Sequence, residues 1–63
     1  MNENEKKPAF EIGDRVHWKG EEKNGTVVKY VEVGNMIYPM IHVDGEEEYL
    51  VTIVQEKDLT LLD

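Results

Sequence analysis

The chain has no cysteine and no serine. Without thiols it carries neither a disulfide framework nor a thiolate metal site, so a small domain of this kind must rely on packing or on a partner chain. The composition fits a reducing cytoplasm. Hydroxyl groups reduce to Thr26, Thr52 and Thr60 besides the tyrosines, and no glycine-rich phosphate loop is present. Covalent nucleophilic routes therefore have few players. Carboxylates are numerous, but acid–base catalysis needs a pair held in a cleft with separated pKa values, and 63 residues leave little room for one. These absences point away from an enzyme, and no cofactor is expected.

Long apolar runs are missing too. The longest, residues 36–41, is interrupted by Pro39, and it falls far short of the roughly 20 residues that span a bilayer. The opening Met1-Asn2-Glu3-Asn4-Glu5-Lys6-Lys7-Pro8 has no apolar centre, so it does not read as a signal peptide. A soluble cytoplasmic protein without a membrane partner is the expectation. One domain fits the length, and a chain this short buries only about 60% of the surface its unfolded form exposes.

Positive charge is scarce. Fourteen acidic against seven basic residues give a net charge of −7, which repels a phosphate backbone unless the basic residues cluster. Solubility is the plain reason for such a balance; a basic partner is the sharper one.

What the chain does have is β-structure punctuated by turns. Residues 25–43 read as a hairpin: two arms dense in β-branched and aromatic residues, joined by Gly34-Asn35, which suits a primed turn. Asp44-Gly45 is a second hairpin signal, predicting a fourth strand over residues 47–52. Ahead of the hairpin, residues 1–9 read as a disordered tail and 10–63 as the domain. Phe10-Glu11-Ile12 reads as a short edge strand. The first main strand is Arg15-Val16-His17-Trp18-Lys19, with Val16 and Trp18 on one face and the charged residues on the other. Residues 20–24 read as a solvated loop. In the second strand the apolar phase shifts from Val28 and Tyr30 to Val31 and Val33, which predicts a bulge. Pro39 cannot donate to a ladder, so its nitrogen should face an edge, a bulge or a ligand. Residues 55–59 read as one tight helical turn, followed by a short closing strand at residues 60–62.

The punctuation Gly13-Asp14-Arg15-Val16, Gly25-Thr26-Val27-Val28, Tyr38-Pro39-Met40-Ile41 and Val54-Gln55-Glu56-Lys57-Asp58-Leu59 resembles that of SH3-like barrels. It is similar to Tudor and KOW-type domains across residues 10–62. Its Tyr-Pro resembles that of the photosystem I stromal barrel subunit and of the ferredoxin–thioredoxin reductase variable chain. The resemblance implies an all-β fold, a five-stranded SH3-like barrel with a short helical turn before the last strand. It also implies a non-catalytic docking or recognition role. Several members of these families bind nucleic acid or ribosomes, and the acidity of this chain departs from them.

Two binding modes follow. In the first, Trp18, Tyr30, Tyr38, Met40 and Tyr49 form an aromatic and methionine surface for a partner protein or peptide, or for an identical subunit, with residues 46–48 as an acidic rim suited to a basic partner. An accessory subunit or an inhibitor of a basic surface belongs to this class. The competing reading makes the rings core and cross-strand pairs. In the second mode, Arg15, Lys19, Lys23 and Lys29 form a local basic strip for nucleic acid or ribosomes, which the net charge disfavours. His17 and His42 lack a fixed ligand spacing, so they read as solvent-facing strand residues rather than metal ligands.

Overall fold

The chain was described from a computed structural model covering residues 8–62; residues 1–7, which make up most of the expected tail, and Asp63 lie outside the described residues. It folds as an all-β protein with five strands: β1 (Arg15–Trp18), β2 (Lys23–Val33), β3 (Met36–Val43), β4 (Thr52–Ile53) and β5 (Leu59–Leu61). A single 3-10 turn, Glu56–Asp58, precedes β5. All pairings are antiparallel, and the strand order is β4-β3-β2-β1-β5. Among the described residues no ladder joins β4 to β5, so these two strands are the edges of the sheet.

The central hairpin follows from its residues. Gly34 takes φ +62 while Asn35 stays at negative φ, the pattern of a type II′ turn with glycine first, whose twist matches the flanking strands. The register then runs Val33↔Met36, Val31↔Tyr38 and Lys29↔Met40, with a shift between Val27 and Lys29. That shift is the bulge at Val28. It lets β2 keep Val27 and then Tyr30 on the same side of the sheet, each opposite an inward residue of β3.

The core collects on that side. Val16, Val27 and Ile41 are fully buried, Val43, Val54 and Leu59 nearly so, and Phe10, Trp18 and Tyr30 pack against them. Gly25 lies between Val16 and Val43 in the ladders, and a β-carbon there would sit 2.6 Å from the His42 carbonyl oxygen. Glycine is needed here for close approach of two backbones rather than for a turn.

Three expectations are corrected. Residues 10–12 form a bend and a turn, not a strand: Asp14 N–H bonds the Glu11 carbonyl, and the Gly13 N–H bonds Val27 O at 2.7 Å, so the segment is tied to β2 as a loop. The loop expected at residues 20–24 is shorter, because Glu22 at φ +57 completes the reversal and Lys23 and Asn24 already pair with Trp18 and His17. The fourth strand is Thr52–Ile53 rather than residues 47–52. The segment between spends its backbone groups on turns, with Glu46 N–H bonding Val43 O and Leu50 N–H bonding Glu47 O, and its three glutamates have no apolar partners to bring into a ladder.

Candidate docking face

Strand alternation sorts the side chains into two populations. Pro39, Ile41 and Val43 of β3 point inward and are buried. Met36, Tyr38, Met40 and His42 therefore point outward. Directly opposite them on β2 stand Val33, Val31, Lys29 and Thr26, and Ile53 of β4 stands opposite Met40. The outer face of β2, β3 and β4 is thus lined by Val31, Val33, Met36, Tyr38, Met40 and Ile53. Val33, Met36 and Ile53 are each more than half exposed, at 57%, 56% and 52%. This is an apolar stripe on the side of the sheet opposite the core.

An acidic border closes one end. The His42 ring lies on the same outer face, and its Nε2 sits 3.2 Å from the Glu46 carbonyl and 3.1 Å from that of Glu47. That contact ties the segment carrying Glu46, Glu47 and Glu48 to the end of the face. Beyond it Tyr49, Leu50 and Val51 are exposed, leading the chain into β4.

Of the five residues expected to form one aromatic and methionine surface, the structure brings together Tyr38 and Met40, both half-buried on the outer face. Trp18 lies on the inner side with Val16, and Tyr30, opposite Pro39, also faces inward. Tyr49 is in the loop before β4, 78% exposed. Tyr30 has a structural engagement of its own. Its hydroxyl accepts from Phe10 N–H at 3.0 Å and donates to Glu56 Oε2 at 2.8 Å, and the same carboxylate oxygen accepts from Ala9 N–H. Burial pushes the Tyr30 phenol up to about 12, and the Glu56 bond adds to that while the Phe10 N–H opposes it.

The basic residues do not line up as a strip. Arg15 is held by a bidentate pair with Asp44, Nη1–Oδ1 at 2.8 Å and Nη2–Oδ2 at 2.6 Å, and Nη1 also donates to Thr26 Oγ1. The Arg15 bond holds the Asp44 carboxyl below its ordinary range, and Arg15 is raised in turn. Its charge is therefore offset on the surface. Lys29 stands beside Met40 on the outer face, whereas Lys23 pairs with Trp18 on the opposite side, and Lys19 sits in the turn after β1. His17 is occupied locally, its Nδ1 2.7 Å from Asn24 Oδ1 and its Nε2 3.6 Å from Glu22 Oε1.

Sequence reading missed Val31, Val33, Met36 and Ile53 as neighbours of Tyr38 and Met40. A signal was present in the phase shift of the second strand, which separates Val31 and Val33 from Tyr30; counting across Gly34-Asn35 then pairs them with Tyr38 and Met36. Ile53 carried no such signal, because the short β4 has no alternation to read.

A second feature adjoins the stripe. An open groove of about 420 Å³ is lined by Met36, Ile37 and Tyr38 of β3 and by Gln55, Glu56 and Lys57 facing them. No helix of the described residues is long and apolar enough to cross a membrane. Compared with known proteins, the chain matches no family model, no curated protein and no solved structure.

Proposed function

We propose that this chain is a non-catalytic protein-interaction module of the cytoplasm, an accessory subunit or an inhibitor, which docks a partner protein or peptide through the outer face of the β2–β3 hairpin. In this reading the sheet coils into an SH3-like barrel, consistent with β5 lying beside β1 after the 3-10 turn and with the bulge in β2. The observation that carries the docking reading is the apolar stripe itself: Val33, Met36 and Ile53 are more than half exposed around Tyr38 and Met40, and contiguous apolar surface rimmed by charge is characteristic of interaction sites. Aromatic and methionine side chains are also the types that interfaces favour.

The test is capture of a partner by the tagged protein with and without nuclease, compared with the double variant Tyr38→Ala, Met40→Ala. Loss of two such anchors weakens binding by about 2 kcal/mol or more, roughly thirtyfold. Capture that survives nuclease and is lost in the double variant supports the reading. Capture that the double variant retains, or that nuclease abolishes, contradicts it.

A further inference from the structure

We infer that the groove between the first half of β3 and the 3-10 turn is a strand-addition site for an extended, Lys- or Arg-bearing segment of the partner. This rests on the docking reading above and specifies how part of that partner is held.

The inference begins with the backbone of Ile37. In an antiparallel ladder, residues directly opposite alternate between pairs that exchange hydrogen bonds and pairs that do not. The two-residue turn makes Val33 and Met36 the closing, bonded pair, so Glu32 and Ile37 form a non-bonded pair and the Ile37 N–H and C=O point away from β2. The other side of the strand agrees. Val54 N–H bonds the Pro39 carbonyl at 3.0 Å, so Pro39 turns its polar groups toward β4, and Ile37, two residues earlier, turns its own the same way.

At Ile37, however, β4 is no longer there. Pro39 offers no N–H, so the ladder loses one of the two bonds it would make opposite Val54. The chain then leaves the sheet at Gln55 and enters the 3-10 turn. The gap that opens is the groove, with Met36, Ile37 and Tyr38 on one wall and Gln55, Glu56 and Lys57 on the other. Among the described residues no hydrogen bond uses the Ile37 N–H or C=O on that side. A donor and an acceptor spaced for a strand, without a partner, call for extended backbone.

Size and charge indicate the kind of segment. About 420 Å³ lies in the roughly 300–1,000 Å³ range of ligand clefts. Glu56 stands in the wall beside the single lining cation, Lys57, one of its carboxylate oxygens already accepting from Tyr30 and Ala9, and the chain as a whole carries −7. A second copy of this chain would bring a further −7 to the same place. A cationic strand instead gains backbone pairing from Ile37, apolar contact from Met36 and Tyr38, and the attraction of the chain's overall negative charge.

The experiment is an amide-resolved NMR titration of the full chain with a short capped peptide alternating valine and lysine. Three controls run beside it: the same peptide N-methylated at alternate residues in each phase, a valine–glutamate counterpart, and the protein variant Ile37→Pro. Proline at 37 removes the N–H that faces the groove, together with the isoleucine side chain, and leaves the Val33–Met36 and Val31–Tyr38 bonded pairs with β2 their donors. The expected result is that the Ile37 amide shifts and exchanges with solvent roughly tenfold more slowly on addition of the valine–lysine peptide. The N-methylated and glutamate peptides should lose that effect, and the variant, which has no amide at 37, should lose the peptide-induced shifts of the Gln55, Glu56 and Lys57 amides across the groove. Response of Tyr38 and Met40 with no change at the Ile37 amide would leave face docking standing and overturn strand addition. Equal binding by the N-methylated or the glutamate peptide would overturn it as well, as would absence of any response. Concentration-dependent protection of Ile37 without peptide would make the occupant a second copy and overturn the cationic partner.

Discussion

The two halves of β3 differ although they belong to one strand. At Met40 and Ile41 the strand lies between β2 and β4, and the inward residues Ile41 and Val43 of this half are core. From Met36 to Tyr38 it has β2 on one side and an open groove on the other. Pro39 stands at the junction. Hydrogen-bond geometry at one residue thus divides the strand into a half that holds the fold and a half that is free to hold something else.

Substitutions should reveal that division. Ile41→Ala, in the half that holds the fold, removes buried methylene groups and should cost about 2–5 kcal/mol in denaturant unfolding. Met36→Ala, on the open half, should change stability by no more than about 0.5 kcal/mol. A comparable loss at both positions would erase the distinction. Gly25→Ala should come next in size, roughly 2–3 kcal/mol, because its β-carbon meets the His42 carbonyl oxygen at 2.6 Å and backbone on both sides must shift. Unchanged stability there would mean that β2 and β3 do not approach as closely as described.

The extent to which the fold was legible in the sequence follows the same division. The hairpin and its turn were readable because Gly34-Asn35 sits between two β-rich arms, and so was the tight turn before the last strand. The bulge was readable in kind from the change of phase, though its position at Val28 was set by the need to keep both Val27 and Tyr30 inward. Strand β4 was not readable. Asp44-Gly45 promises an immediate hairpin, yet the glutamates after it have nothing to pair with until Thr52, and the His42 ring draws their carbonyls into a loop instead. For the site, Tyr38 and Met40 followed from alternation, whereas the inward placement of Trp18 and Tyr30 depends on contacts across the sheet, which local pattern does not carry. The need for glycine at 25 was not readable either, because the close approach of the His42 carbonyl depends on the register between strands.

Smaller effects come from the polar contacts that flank the core. Burial holds the Tyr30 phenol at about 12 against an ordinary 10.0. The folded state therefore keeps this proton more tightly than the unfolded chain, and the associated stability is complete below about pH 10 and lost as pH rises through about 12. Chemical unfolding followed across that window should show the decline, and Tyr30→Phe should flatten it. The Arg15 pair acts in the opposite direction. Asp44 releases its proton more readily when folded, so its contribution is present above about pH 4 and lost as pH falls through the lowered folded value. Both side chains are exposed, so the effect is small and weakens with salt. Asp44→Asn should remove that part of the acid slope without altering the alkaline one.

Native-state hydrogen exchange along β3 of the isolated protein is the most direct measurement. Ile41, in the core and opposite Thr52 on β4, and Ile37, half-buried and opposite the groove, both turn their amides away from β2. The Ile41 amide should exchange at least about a hundredfold more slowly than that of Ile37. Equal protection of the two amides in the isolated chain would contradict the account, because β3 would then be covered along its whole length and the first half would have no edge to offer a partner.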